Sequence, residues 1–344
     1  MNRILGVTSI IAALGIGSTA NAAEIKAAFL PCGQINDHSW SESGYLGMKL
    51  AKEALAAQGV KFEFDYTESQ QPAQVEAAAR DYASRGYNPI VLHCATFRDA
   101  AVNAAKAFPN TKFMVATASD SADVPKNFWF YDGAQQEASF VAGYLAGLVS
   151  KGHVGAVGAF EFPALVRQIE GFRLGARYAN PNIKSYATYI NSWDDAGKAK
   201  EAAQAQIDSG ADVIFAATDQ PARGAFTAAE NSGVYAIASY SDQASLAPKT
   251  ILVSVLYDYP GLVKMMVVNA ALDKLVPGKA YQVGIAGGVG ELAPNQALYR
   301  SLPDEVKRKV TAVFEAIKRG TLRVPLIIKA NGSAEIDLAT LSAK

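Results

Sequence analysis

What this sequence has little of narrows its chemistry before any motif is found. Its 344 residues include only two cysteines and three histidines, too few for a Cys/His zinc site or a scaffold held by several disulfides. Lys+Arg and Asp+Glu are 32 each, so the formal net charge is zero. The basic excess of a nucleic-acid-binding chain is missing. No Gly-x-Ser-x-Gly elbow occurs, and no carboxylate pairing points to acid/base work. Beyond the amino terminus no apolar run is long enough to span a bilayer. At 50% hydrophobic and 19% charged, the composition excludes intrinsic disorder and coiled coil and supplies a large core.

What is present begins with Met1-Asn2-Arg3, an apolar run from Ile4 to Ile16, and Ala20-Asn21-Ala22. A short basic region, an apolar stretch and an A-x-A site read as a cleaved secretory signal peptide over 1–22. A membrane anchor is the competing reading, but Gly15, Gly17 and Ser18 interrupt the run. With no cysteine near the cut, lipid anchoring is not expected. A periplasmic, unanchored protein is. Cys32 and Cys94 each close an apolar strand-like run, which leaves two readings: a disulfide in an oxidising compartment, or two buried thiols.

Strand-like runs alternate with amphipathic stretches. Strands are expected at 25–30, 61–66, 88–92, 112–116 and 128–131, with helices over 41–57, 72–85 and 99–108. The pattern repeats with strands at 154–159, 184–189, 212–217 and 234–238 and helices over 163–179, 195–209 and 221–232. This alternation predicts α/β lobes with parallel sheets. Gly86-Tyr87-Asn88-Pro89-Ile90-Val91 matches Gly210-Ala211-Asp212-Val213-Ile214-Phe215 about 124 residues later, a domain-sized repeat. After Tyr240 come a strand at 251–255, a helix over 260–275, a strand at 282–286, a helix over 304–318 and a hairpin-like tail, 326–329 with 335–338. The expected division is an N-terminal lobe of 23–132 plus about 256–285, and a C-terminal lobe of 133–255 plus about 286–344. Two such lobes enclose a cleft, and ligands of open parallel sheets sit beyond the strands' carboxyl ends.

The glycine-rich run Gly284-Ile285-Ala286-Gly287-Gly288-Val289-Gly290 is followed by Glu291-Leu292-Ala293-Pro294, which reads as loop. A dinucleotide fingerprint needs a helix there, so no cofactor is expected. Gly143 and Gly147 suit close helix packing. His93 beside Cys94 could be a thiol–imidazole site, but no third orienting group is evident. The informative residues are aromatic. Trp40 and Trp193 each follow a strand, one per lobe, and two such rings could sandwich a planar ligand. Polar strand-end residues would orient it: Ser41, Thr96, Thr117, Asp219, Gln220, Tyr240 and Tyr257. Asp219 has a rival role as the cap of the helix that starts near Pro221.

Asp37-His38-Ser39-Trp40-Ser41-Glu42-Ser43-Gly44 resembles the aspartate–x–serine–phenylalanine–asparagine–x–serine loop of the basic membrane protein family, the purine nucleoside receptor-type substrate-binding proteins of ABC transporters. Ile169–Ala176, Asn191–Lys198, Ser209–Phe215 and Ser241-Asp242-Gln243 extend the resemblance over nearly all of the chain after residue 22. The resemblance implies a type I periplasmic-binding fold with three crossovers, a purine held between two aromatic rings, an ABC permease as partner and a monomer. The family's two stacking phenylalanines fall on Trp40 and Trp193, and its asparagine beside the first ring falls on Ser41. An acidic residue at the end of the first strand falls on Cys32. The ribose-binding aspartate falls on Tyr240, and the lysine after the next strand falls on Tyr257. Two phenols in place of a carboxylate and an ammonium suggest a receptor that has lost the sugar and takes a free base such as adenine. A nucleoside is the alternative ligand. An exported nucleoside-processing enzyme is the alternative class, and a sensor that passes ligand state to a membrane receptor is a third.

Overall fold

The structure, a computed structural model, describes residues 24–36, 40–117 and 124–325. The expected signal peptide, Asp37 to Ser39 and the hairpin-like tail lie outside these residues.

The chain opens with β1 (Ile25–Pro31), α1 (Trp40–Ala56), β2 (Phe62–Tyr66), α2 (Pro72–Ser84), β3 (Ile90–His93), α3 (Arg98–Ala107), β4 (Phe113–Ala116) and β5 (Phe128–Gly133). It continues with α4 (Gln135–Val149), β6 (His153–Gly158), α5 (Pro163–Ala179), β7 (Lys184–Tyr189), α6 (Ala196–Asp208), β8 (Val213–Ala217), α7 (Ala222–Ser232), β9 (Tyr235–Tyr240) and β10 (Ile251–Leu256). Its described residues close with α8 (Tyr259–Ala271), β11 (Tyr281–Val283), β12 (Glu291–Pro294), α9 (Gln296–Tyr299) and α10 (Asp304–Lys318).

Two six-stranded sheets result, ordered β11-β5-β4-β3-β1-β2 and β12-β10-β9-β8-β6-β7. Without the outermost strand of each, the five strands of both lobes lie in the same order. The domain-sized repeat in the sequence is therefore a repeated topology. Parallel strands covered on both faces must be apolar throughout. Accordingly β3, β4, β5, β8 and nearly all of β9 and β10 are buried, while the edge strands β2 and β7 are partly exposed.

Three segments pass between the sheets: β5 into α4, β10 into α8, and β11 into β12. The last holds a correction. Glu291–Pro294, expected to be loop, is β12, which pairs antiparallel with Val253–Leu256 and covers the edge that β10 would otherwise leave unpaired. The strand expected over 282–286 stops at Val283, where the chain turns through Ile285–Gly287 and then through Gly288 at φ +82°.

α4 and α5 pack through glycines. A Cβ on Gly143 would lie 1.9 Å from the Phe172 carbonyl oxygen, and one on Gly175 would lie 1.9 Å from that of Phe140. Only glycine allows such backbone approach. The contact sets the first turn of α4 against the middle of α5, where Gly171 packs on Gln136.

Candidate functional site

A strand order of 2-1-3-4-5 has its topological switch point between the first and third strands, and ligands bind there beyond the carboxyl ends. In the first lobe that point lies between β1 and β3. Cys32, just after β1, and Cys94, just after β3, form a disulfide across it, with Cα atoms 5.7 Å apart. Trp40 opens α1 at the same place. Its indole Nε1 donates to the His93 carbonyl at 3.0 Å, and its ring stacks on the His93 imidazole at 4.3 Å with planes 13° apart. The Tyr259 ring meets it edge-on at 4.6 Å. His93 is fully buried, with Nδ1 2.7 Å from the Tyr131 hydroxyl and Nε2 3.1 Å from the Trp40 carbonyl oxygen. Both ring nitrogens are engaged and Cys94 is bridged, so the thiol–imidazole alternative falls away. The histidine is the platform under Trp40. Gly44 makes room for it: a Cβ there would come 2.6 Å from the His93 ring.

In the second lobe the equivalent point lies between β6 and β8. Phe160 and Phe162 follow β6, and Trp193 follows β7. The Trp193 ring centroid is 5.2 Å from Phe160 and 6.0 Å from Phe162, and the residue remains 43% exposed. Its loop is fixed by Ser192, whose hydroxyl accepts from the Asp195 amide at 3.0 Å and donates to Asp194 at 2.7 Å. Asn191, Asp219 and Tyr240, which follow or end β7, β8 and β9, have φ of +53°, +52° and +72°. Left-handed conformations of non-glycine residues cost about 1–3 kcal/mol each and cluster at functional sites.

Between the lobes, a polar network joins the crossing segments. Asp132, at the end of β5, forms a buried ion pair with Arg167 of α5. Tyr259 donates to Asp132 at 3.0 Å and accepts from the Gln135 amide. The Tyr257 hydroxyl lies 2.8 Å from Ser139 and accepts from Gln168 at 3.1 Å. Tyr240 meets Tyr257 edge-on at 5.5 Å. Burial pushes the hydroxyls of Tyr240, Tyr257 and Tyr259 above their ordinary range. The carboxylates of Asp219 and Asp132 add to the rise at Tyr240, and that of Asp132 adds to it at Tyr259. All three are neutral hydrogen-bonding groups at physiological pH. Among the described residues no group of three or more His, Cys, Asp or Glu side chains is arranged to hold a metal ion.

The sequence-predicted residues fall into four groups. Trp40, Tyr240, Tyr257 and Asp219 lie at strand ends around the interlobe network. Trp193 belongs to the opposite lobe from Trp40, and among the described residues no ring contact joins them. Ser41 is buried, and its hydroxyl accepts from the Gly33 amide at 3.0 Å, binding the β1 loop to α1. Thr96 stands on a 3-10 turn after β3, Thr117 and Gln220 on loops after β4 and β8, and Thr96 and Gln220 are exposed. Sequence reasoning missed Asp132, Gln135, Phe160, Phe162, Arg167, Gln168 and Tyr259. Asp132 and Phe160 each directly follow an expected strand, so the strand-end rule applied throughout would have found them. Arg167 and Gln168 carry no such signal, because they sit inside a helix.

Residues 24–320 match the family model described as ABC transporter substrate-binding protein PnrA-like. The chain belongs to this Bmp family. Its members are substrate-binding proteins of ABC transporters, and the family is one of solute receptors rather than enzymes. Among relatives, this Bmp-family chain is 31% identical over 319 residues to a purine-binding protein of Brucella abortus, covering 92% of this chain and 87% of that one. It is 29% identical over 316 residues to a putative ABC transporter glucose-binding protein of Haloferax volcanii, covering 90% and 76%. Among solved structures, an ABC transporter solute-binding protein of Aeropyrum pernix aligns with a TM-score of 0.73 at 19% identity, covering 89% of this chain and 95% of that one. That likeness establishes the two-lobed solute-binding fold.

Proposed function

We propose that this chain captures a purine for an ABC importer, and that the ligand is a free base such as adenine rather than its nucleoside. The observation that carries the reading is the pair of strand-end indoles, Trp40 beside the switch point of one lobe and Trp193 against Phe160 beside that of the other. Aromatic stacking is worth about 1–3 kcal/mol per base and needs no charged group. The purine-binding relative supports the ligand class. The preference for base over nucleoside rests on Tyr240 and Tyr257, whose rings meet at 5.5 Å and fill space where a sugar would need hydrogen-bonding partners.

In operation the chain is exported to the periplasm behind a cleaved signal peptide and acts as a monomer. The open cleft receives the base on one lobe, the other lobe closes over it, and the closed form docks on the permease. Desolvation and stacking supply most of the affinity, and polar groups at strand ends set orientation.

Intrinsic tryptophan fluorescence tests this directly. Trp129 is buried at the amino end of β5, with its Nε1 bonded to the Val276 carbonyl at 2.8 Å, so it contributes a constant background. Ligand-stripped protein is titrated with adenine, guanine, their nucleosides, riboflavin and glucose. Saturation by a base but not its nucleoside is the expected outcome. Saturation by nucleosides keeps the purine class and refutes the tyrosine argument. A response to glucose alone refutes the purine reading.

A further inference from the structure

The interlobe network contains more hydrogen-bonding capacity than it uses. Arg167 is only 1% exposed. Its Nη2 pairs with Asp132 and its Nε donates to the Pro163 carbonyl at 3.3 Å, while Nη1 has no partner. Gln135 and Gln168 are equally buried. Each gives its amide nitrogen to a tyrosine hydroxyl, Tyr259 and Tyr257 respectively, and each leaves its Oε1 unpaired. Turning either amide over would still leave one end unpaired. Thr218 Oγ1, at the end of β8, is unpaired too. Folded proteins leave few buried polar atoms unsatisfied, and each one needs an explanation. Here three of them, on Arg167, Gln168 and Gln135, belong to one connected network between the lobes.

That network runs from Gln168 through Tyr257 to the Gln135 carbonyl, and from the Gln135 side chain through Tyr259 and Asp132 to Arg167. Tyr257 is itself a member, and its ring meets Tyr240 at 5.5 Å, so the network adjoins the Tyr240/Tyr257 pair. Asp132 neutralises Arg167. A neutral ion pair with the two N–H donors of Nη1 unused suits an uncharged acceptor, not a phosphate or carboxylate, which would leave excess buried charge.

We infer that Arg167 Nη1, with the free amide ends of Gln168 and Gln135, is the edge-reading element of the ligand site. The element selects an uncharged heterocycle that carries a hydrogen-bond acceptor beside a donor on one edge, as amidine and lactam rings do. Arg167 donates to the acceptor, and a glutamine carbonyl accepts from the neighbouring N–H. The inference rests on the purine reading above and adds what tells one flat ring from another, since stacking alone is indifferent to edge chemistry.

The test is a ligand-by-variant series on the full chain, read by isothermal calorimetry. Adenine is compared with its deaza analogues, which keep the stacking surface but each delete one ring acceptor, and with unsubstituted purine, which lacks the amino donor. In the wild type, one deaza analogue is expected to bind about 10- to 100-fold more weakly than adenine, the cost of leaving a buried donor unmatched. The paired variant Asp132→Asn/Arg167→Gln removes both charges together, so that no lone buried carboxylate remains, and is expected to erase that difference. Gln168→Leu is expected to erase the difference between adenine and purine. Should the paired variant fail to fold, the wild-type series and Gln168→Leu decide the matter. Equal binding of all analogues by the wild type overturns the assignment, as does a uniform loss in the variants with unchanged rank order. Either result leaves purine capture standing, whereas the absence of binding by any of these heterocycles overturns both.

Discussion

Trp193→Ala separates binding from stability better than any other change in the site. The indole is 43% exposed and touches two half-buried phenylalanines on the same lobe, with the nearer ring at 5.2 Å. Such a tilted pair contributes about 0.5–1.5 kcal/mol. Its loss lowers Tm by only about 1–2 °C, because an unfolding entropy of about 2.1 cal/mol/K per residue makes 1 kcal/mol worth about 1.5 °C in a chain of this size. If the ring also stacks on a bound base, the variant loses about 1–3 kcal/mol of binding, or about 5- to 150-fold in Kd. Trp193→Phe keeps a stacking face and recovers most of that affinity. Trp40→Ala lacks this selectivity, because it also removes the hydrogen bond to the His93 carbonyl and the stack on the imidazole. The assay is calorimetric titration with adenine beside a thermal melt of each variant. An affinity within about twofold of wild type in Trp193→Ala refutes the two-ring site, because nothing else about this residue would conceal a lost stack.

The remaining predictions concern what holds the site in place. Reduction, or Cys94→Ser, removes a bridge of sequence separation 62; loop-closure entropy puts the loss near 4 kcal/mol, and thermal melts with and without reductant check it. Gly175→Ala forces a methyl onto the Phe140 carbonyl and is expected to cost at least ~1–3 kcal/mol in a urea melt; unchanged stability would contradict the α4–α5 contact. Burial holds the Glu137 carboxyl above its ordinary value, opposed by the Ile285 N–H that it accepts at 2.8 Å. Its contribution to stability is therefore complete below the unfolded-state value near 4.5 and is lost as pH rises through the folded one. Glu137→Gln keeps the acceptor and flattens that slope, and matching pH–stability curves for variant and wild type would refute the account.

Most of the architecture was legible because parallel strands covered by helices are apolar from end to end and alternate with 3.6-residue periodicity. Gly86 and Gly210, each after a helix and before a buried strand, marked the duplication. Glu291–Pro294 was not legible: a short strand, half-exposed along most of its length and ending in proline, has no alternating pattern, and only the open edge of β10 makes it one. Trp40 and Trp193 could be singled out as candidates because large rings just after strands are costly unless they pack or bind. The interlobe network could not. Arg167 and Gln168 look like ordinary polar positions of an amphipathic helix, and their burial depends on how closely α4 approaches α5. That approach depends in turn on four glycines whose partners lie on another element.

The two lobes share a topology but differ in what fixes their aromatic residue. In the first, Trp40 is held by an indole hydrogen bond, a stacked imidazole and a disulfide a few residues upstream. In the second, Trp193 is exposed and its loop is fixed by one serine, while three strand ends hold left-handed residues. A ring already fixed by its neighbours loses little entropy when a ligand stacks on it. An exposed ring on a lightly held loop loses more, and the cost falls when the lobes close. If both rings bind the ligand as proposed, the first lobe is the preorganised face, and the second is the one whose ordering a ligand must drive. Hydrogen exchange follows the same asymmetry: ligand should slow it at residues 190–195 and 219–220 more than at residues 40–44. Equal protection of both faces would mean that the shared fold, and not these local anchors, sets the order of events.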